Sequence, residues 1–141
     1  MTEHITVGFD GSPVAQAALD WAVGEARRRE LRVQVVTVHQ ADDPELRSLR
    51  AQIHVVAEAN PDVLLWHRDI TGAPGVELVR LAGNSELLVV GSHGIGRVTS
   101  ALLGSVSAYC VRHSPCPVVV VPAAMAEQET HDQFLTPGPL L

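Results

Sequence analysis

Four small residues at fixed spacing are the feature of the chain that most clearly points to chemistry. Gly91, Gly94, Gly104 and Ser105 form the pattern G-x2-G-x9-G-S. Glycines after a strand let backbone N–H groups approach a ligand closely, because no Cβ atom is in the way. A helix that begins at Gly104 and Ser105 directs its unpaired N–H groups and its positive dipole end at the same space. The pattern therefore predicts an anion site.

The charged residues limit how such a site can work. The chain contains ten basic residues, and all of them are arginine. The absence of lysine excludes a Walker-type P-loop, a Schiff base and the phosphate-binding lysine of kinases. Peptide amides would therefore have to hold the anion. The formal net charge of −6 provides no electrostatic footprint for nucleic acid or an anionic membrane, so neither is expected as a partner.

The other reactive side chains give weaker signals. Asp10 follows the first strand, which favours contact with a ligand, although Asp-Gly pairs also form turns without one. The seven histidines contain no HxxxH or HxH pair, and no cysteine lies at metal-ligand spacing beside them. We therefore expect no structural metal. Cys116, between two prolines, is typical of a buried small apolar residue, and no pair of residues for nucleophilic catalysis is evident.

Alternating strand and helix patterns must position these residues. Apolar runs predict five strands, at residues 5–9, 33–38, 63–70, 87–90 and 117–121. Four helices are predicted between them, with starts at Ser12-Pro13, Asp43-Pro44, Ala73-Pro74 and Gly104-Ser105. This alternation implies a parallel α/β sheet with helices on both faces. Ligands of such sheets bind at the carboxyl ends of the strands, where Asp10, Val38 and the glycine pattern lie.

The length of 141 residues suits one domain with a single hydrophobic core. We expect that domain to span residues 1–122, since from residue 123 the sequence turns polar without periodicity and predicts a mobile tail over 123–141. No apolar run reaches the roughly 18 residues of a membrane span. The N-terminus lacks the basic and apolar regions of a secretory signal. With two cysteines only, the expected location is the cytoplasm.

The chain resembles a small universal stress protein over about residues 3–122. The resemblance is carried by VGFDGSP, ITGAPG, LLVVGSHGIG, ALLGSVS and CPVVVV. It implies a single doubly wound, Rossmann-like domain whose five-stranded parallel sheet has the order 3-2-1-4-5. It also implies a regulatory protein for stress survival that binds ATP, with or without Mg²⁺, and that is not an enzyme beyond slow hydrolysis or autophosphorylation. Cyclic AMP is the alternative ligand.

Nine residues match the nucleotide-binding positions of that family. The resemblance implies that Asp10 reaches the ribose or a metal beside the phosphates, and that Gly8 lets the ligand lie close. The backbone of Val38 is implied to contact adenine. The phosphates would lie against Gly91, His93, Gly94, Gly104, Ser105 and Val106. Arg97 departs from the family pattern, and its role stays open between a phosphate contact and a solvated side chain.

The last strand, Pro117–Val121, has a second predicted use. At the edge of the sheet, this apolar strand can pair antiparallel with its copy in another subunit, and the resemblance implies dimers of the same kind. We therefore expect a homodimer. Three other functions stay open: a nucleotidyl-transfer or hydrolytic enzyme, a dimerisation module, and a phospho-receiver domain. The last would use Asp10 and Asp69, but it needs a lysine after the fifth strand.

Overall fold

The computed structural model describes residues 3–93 and 103–126. The strands are β1 His4–Gly8, β2 Arg32–His39, β3 Leu65–Thr71, β4 Leu87–Gly91 and β5 Val118–Val121. The helices are α1 Pro13–Arg29, α2 Leu46–Ala59, α3 Pro74–Leu81 and α4 Ser105–His113. All strand pairs are parallel, and the order is β3-β2-β1-β4-β5. The predicted α/β class and the strand order are confirmed.

The sheet separates two apolar clusters of unequal size. Residues that alternate along each strand point to opposite faces, so Val33 and Val35 join one cluster and Val36 joins the other. The larger cluster contains the buried faces of α1 and α2, and the smaller one contains Leu78 of α3 and Cys110 of α4. This burial on both faces explains why β4 is apolar throughout.

Helix α1 begins where the sequence predicts, at the Ser12-Pro13 pair. Ser12 is the N-cap, and its Oγ accepts a hydrogen bond from the Ala15 N–H at 3.2 Å. The helix ends at Glu30, whose positive φ of 57° closes the last turn through a bond to Ala26 C=O. At 17 residues α1 is the longest described helix, and none of the described helices is both long and apolar enough to cross a membrane.

Two elements begin two or more residues later than predicted, because local hydrogen bonds compete with the regular structure. α2 begins at Leu46 rather than at Asp43-Pro44, since the Asp43 carboxylate accepts from the Glu45 N–H at 2.9 Å and forms a turn before the helix. β3 begins at Leu65 rather than at residue 63. Val63 is buried, and its N–H donates to Asn60 C=O at 3.1 Å in a turn that follows α2.

The predicted start of the tail at residue 123 also falls inside packed structure. Residues 123–126 are helical, and the Met125 N–H donates to Pro122 C=O at 3.0 Å. Ala126 is buried in the larger cluster, and Met125 packs against it. Burial of these apolar side chains favours packing of residues 123–126 on the domain. The remaining predicted tail, residues 127–141, lies outside the described residues.

A chain of polar side chains crosses the sheet near the amino ends of its strands. Gln34 Nε2 donates to Thr6 Oγ1 at 3.0 Å, and Thr6 Oγ1 lies 2.6 Å from Ser85 Oγ. Ser85 Oγ lies 3.1 Å from His4 Nε2. When the imidazole is neutral with its proton on Nδ1, His4 Nε2 accepts the Ser85 proton and Ser85 accepts that of Thr6.

Acid is expected to destabilise the fold through two histidines. Burial, and then the charge of Arg32, lowers the pKa of His4 from 6.5. Burial likewise lowers the pKa of His67 from 6.5, although Asp69 acts in the opposite direction. The unfolded chain therefore takes up these protons at a higher pH than the folded chain. The stability that both groups contribute is present above about pH 6.5 and is lost as the pH falls through the lowered folded-state values.

Urea unfolding tests this expectation at about pH 7.5 and about pH 5.5. The free energy of unfolding should be smaller at the lower pH. His4→Gln should narrow the difference, because glutamine offers an acceptor to Ser85 and does not titrate. His54→Gln, at an exposed position of α2, is the matched control and should leave the difference nearly unchanged. Equal stability of the wild type at both pH values would contradict the prediction.

Candidate functional site

A cavity of about 330 Å³ lies at the carboxyl ends of β1, β2 and β4, beneath the first turns of α3 and α4. Small-molecule sites are roughly 300–1,000 Å³ in volume. The cavity lies where the strand order reverses between β1 and β4, which is the usual ligand position in open α/β sheets. Among the nine residues predicted for the site, the cavity is lined by Gly8, Asp10, Val38, Gly91, His93, Gly104, Ser105 and Val106. Gly94 and Arg97 lie outside the described residues.

Seven residues line the cavity without having been predicted: Phe9, Ala15, Val36, Pro74, Leu78, Val90 and Ser107. Four of them lie inside the quoted VGFDGSP, ITGAPG, LLVVGSHGIG and ALLGSVS segments, so these segments held a signal for Phe9, Pro74, Val90 and Ser107. Ala15, Val36 and Leu78 are apolar residues of strands and helices, and their pattern is the same as that of ordinary core positions. Only the packing of α1 and α3 on the sheet brings Ala15 and Leu78 to the cavity.

The first turn of α4 lines the cavity with backbone N–H donors. Its N-cap is Gly104. The first hydrogen bond of the helix runs from the Ala108 N–H to Gly104 C=O at 2.9 Å. The N–H groups of Ser105, Val106 and Ser107 precede this bond and have no acceptor among the residues that the structure describes. Three donors at the positive end of a helix dipole favour an anion in the cavity.

Ser92 fastens the start of α4 to the end of β4. Its C=O accepts from the Gly104 N–H at 2.7 Å and from Ser107 Oγ at 2.8 Å. Ser107 Oγ is also 3.1 Å from Gly104 C=O, so its single proton is shared between two carbonyl groups. The Ser92 N–H donates to Val121 C=O at 2.8 Å, at the end of β5. The α4 amides are therefore held in place by the protein itself.

Three of the predicted glycines are required by packing inside the protein. A Cβ atom at Gly104 would lie 3.0 Å from His93 Cα, and one at Gly91 would lie 2.8 Å from Val14 Cγ1. A Cβ atom at Gly8 would lie 2.9 Å from Leu78 Cδ1. These glycines let α4, α1 and α3 approach the sheet closely, and clearance for a ligand is not the only reason for them.

Asp10 organises the turn between β1 and α1. One carboxylate oxygen, Oδ1, accepts from the Ser12 N–H at 2.9 Å and from Ser12 Oγ at 2.6 Å. The intervening Gly11 has a φ of +85°, which favours glycine. The turn-forming interpretation of Asp10 is thus confirmed. Its side chain is also exposed at the cavity, where a role toward ribose or metal stays a prediction.

The backbone of Val38 faces the cavity. The Arg32 N–H donates to Glu3 C=O, and Val36 C=O accepts from the Phe9 N–H, each at 2.9 Å. Because peptide groups alternate sides along a strand, the even-numbered residues of β2 face β1. β1 ends at Gly8, so the N–H and C=O groups of Val38 point past the end of that strand.

Among the described residues, the other titratable side chains lie outside the cavity. Burial raises the pKa of the Cys110 thiol to about 11, which keeps it protonated at neutral pH. Asp69 does not line the cavity that Asp10 lines, and its carboxylate is bound by Arg50 of α2 at 2.8 Å. The hydrogen bond from Arg50 lowers the pKa of Asp69. Across residues 3–93 and 103–126, no three His, Cys, Asp or Glu side chains are grouped to hold a metal ion.

Known proteins with the same fold and related sequences are numerous. The model of the universal stress protein family matches residues 1–122. A universal stress protein of Mycobacterium tuberculosis is 37% identical over 144 aligned positions, which cover 83% of this chain and 46% of that protein. One from Mycolicibacterium smegmatis is 35% identical over 133, with 83% and 45% covered. The chain thus spans about half the length of these relatives. A solved universal stress protein in complex with cAMP is 29% identical, with a TM-score of 0.73 and with 86% and 97% covered.

Proposed function

The chain belongs to the universal stress protein family, and from this premise we propose that it is a regulatory protein whose cavity binds an adenine nucleotide, with ATP as the ligand. One observation carries the proposal: the same cavity is lined by the peptide edge of Val38 and the amides at the start of α4, whose N–H groups have no acceptor within residues 3–93 and 103–126. The first suits a base, and the second suits phosphates.

The phosphate groups would lie against α4. Among the described lining residues there is no arginine, and the chain has no lysine. The amides of Ser105 to Ser107 therefore carry the binding, together with the Ser105 hydroxyl and His93. Amides fixed before the ligand arrives need no reordering, which favours affinity. Gly91 and Gly94 belong to the same proposed phosphate subsite.

The adenosine part would lie toward β2. Adenine offers an exocyclic amino donor beside a ring-nitrogen acceptor, and the C=O and N–H groups of Val38 match these two. Asp10 at the rim would contact the ribose, or a Mg²⁺ ion beside the phosphates, through its exposed carboxylate. Guanine presents a carbonyl oxygen and a ring N–H in the same places, so Val38 would reject it.

Cyclic AMP is the second candidate ligand, because the solved relative at 29% identity is a complex with that molecule. It has the same base but a single phosphodiester charge. The α4 amides would then be only partly used. The two ligands therefore differ in how strongly binding depends on the first turn of α4, and not in how they use Val38.

Calorimetric titration of the purified chain with ATP, cAMP, adenosine and GTP tests the proposal. ATP should bind more tightly than adenosine because of the phosphate contacts, and GTP should bind weakly. Higher affinity for cAMP than for ATP would assign the second candidate. The nucleotide released by heat denaturation of freshly purified protein gives an independent identification. Absence of binding by every adenine compound at millimolar concentration would refute the proposed function.

We propose a binding protein and not an efficient catalyst. Of the cavity residues that the structure describes, Asp10 and His93 are the titratable ones, and Asp10 Oδ1 is already bonded to Ser12. General acid–base catalysis needs a positioned base beside the reacting group. Binding would therefore act through a change of conformation or partner, with at most slow hydrolysis.

We also propose a homodimer through the strand Pro117–Val121. Its regular part, β5, consists of four valines and is an edge strand of the sheet. Leu88 and Ser92 donate to Pro117 C=O and Val121 C=O, at 3.0 and 2.8 Å. The odd-numbered residues of this strand therefore face β4, and the N–H and C=O groups of Val118 and Val120 face the open edge. A second copy can pair with them.

Val120→Pro is expected to convert this dimer to a monomer. Proline removes an outward N–H without removing a hydrogen bond of the sheet, and edge strands tolerate it. Light scattering at micromolar concentration should give the dimer mass for the wild type and the monomer mass for the variant. Val120→Ala, which keeps the N–H, is the control and should remain dimeric. A dimer mass for Val120→Pro would show that the subunits associate elsewhere.

A further inference from the structure

The hydrogen-bond ladder between β1 and β2 ends one bond earlier than the alignment of the two strands would permit. The register pairs Gly8 with Val36, and the Phe9 N–H donates to Val36 C=O at 2.9 Å. The next bond of a parallel ladder would run from the Val38 N–H to Phe9 C=O. That carbonyl instead accepts from Thr37 Oγ1 at 3.1 Å. The Val38 N–H has no partner among the described residues.

A second hydrogen bond, with His67, fixes the orientation of the Thr37 hydroxyl. It is buried, with 1% of the residue exposed, and its proton must point to Phe9 C=O because a carbonyl group can only accept. Its lone pairs then face His67 Nε2, 3.0 Å away, which donates to them. The relay runs from His67 through Thr37 to the Phe9 carbonyl, and it involves no group of the ligand.

We propose that Thr37 is a positioning residue for the adenine base. Its hydroxyl bonds the Phe9 carbonyl and holds it in a position where the Val38 N–H does not reach it, which leaves that N–H for the ligand. The inference rests on the proposed function, since the freed amide is the donor that a ring nitrogen of adenine would accept. Thr37 does not line the cavity, and it acts only through Phe9 and Val38.

Thr37→Val and Thr37→Ser test this role by calorimetric titration with adenosine, ATP and inorganic tripolyphosphate. Valine keeps the shape but has no hydroxyl, so nothing holds the Phe9 carbonyl away from the Val38 N–H. Thr37→Val should lower the affinity for adenosine and for ATP by roughly tenfold, which is about the effect of losing one hydrogen bond. Thr37→Ser keeps the hydroxyl and should stay within about twofold of the wild type. Tripolyphosphate should bind all three proteins equally.

Two results of the titrations would overturn the proposal. One is wild-type affinity of Thr37→Val for adenosine. The other is an equal loss of tripolyphosphate affinity, which would show a general disturbance of the cavity. A wild type that binds tripolyphosphate but no adenine compound would instead refute the proposed function.

Hydrogen exchange without any ligand tests the positioning role of Thr37 independently of whether the protein binds nucleotide. In the wild type, the Val38 amide should exchange at least about tenfold faster than the Val36 amide, which lies within the paired part of β2. In Thr37→Val the Val38 amide should become protected, because it joins the ladder. A Val38 amide already protected in the wild type, or unchanged by the substitution, would overturn the positioning role whether or not the protein binds nucleotide.

Discussion

Replacing Val38 with proline is expected to lower the affinity for both adenosine and ATP by roughly 10- to 100-fold. Proline has no N–H group, so the ring nitrogen of adenine would lose its donor inside the cavity. The N–H of Val38 points past the end of β1 and not toward β3, so the ladder between β2 and β3 keeps its bonds. Calorimetric titration of each ligand measures the effect.

Val38→Ala is the matched control for this substitution. Alanine removes most of the half-buried side chain but keeps the backbone N–H, so the affinity should fall by no more than about threefold. Thermal unfolding of both variants shows whether the sheet is intact. If proline and alanine weaken adenosine binding equally while both proteins remain folded, the base does not use the backbone of Val38. The adenine subsite would then have to lie elsewhere in the cavity.

Gly91→Ala is expected to lower the free energy of unfolding by about 1–3 kcal/mol through overpacking. The new Cβ atom would lie 2.8 Å from Val14 Cγ1 and 3.3 Å from its backbone carbonyl carbon. Val14 is 3% exposed, and its β-branched side chain has little rotamer freedom to move away. The first turn of α1 must therefore shift from β4. Urea unfolding of the variant and the wild type measures the loss.

Gly24→Ala provides the opposite expectation at a second glycine. Gly24 lies in the middle of α1, and a Cβ atom there meets nothing within 4 Å. Alanine should stabilise the helix by about 0.5–1 kcal/mol, because glycine loses more backbone freedom on folding. The two substitutions add the same methyl group, so opposite signs would isolate the contact with Val14. A Gly91→Ala protein as stable as the wild type would mean that α1 adapts without cost.

The architecture could be predicted from the sequence because its signals are local. Apolar runs, the Ser12-Pro13 start of α1 and the Gly104-Ser105 start of α4 act within a few residues of themselves, and the structure confirms them. The predicted boundaries were wrong where side-chain interactions compete with the local pattern. The Asp43 carboxylate delays α2 by binding the Glu45 N–H, and Met125 packs on the core in a segment of polar composition.

The candidate site could be predicted only where a motif marks it. Of the nine positions carried by the resemblance, eight line one cavity, while their contact with a ligand stays a prediction. Leu78 and Ala15 were missed because an apolar helix residue looks the same in sequence whether it meets the core or a cavity. The face of the sheet on which the Asp69 side chain lies could not be predicted from the sequence either, because a shift of one residue in the strand moves a side chain to the opposite face.

Ser92 connects the candidate site directly to the edge strand of the sheet. Its carbonyl group accepts from the start of α4, and its N–H group donates to the last residue of β5. In the proposed homodimer, a nucleotide at the start of α4 and a partner strand on β5 would therefore both act on this one residue. Ligand binding in one subunit and pairing of the two subunits would then be coupled through a single amino acid.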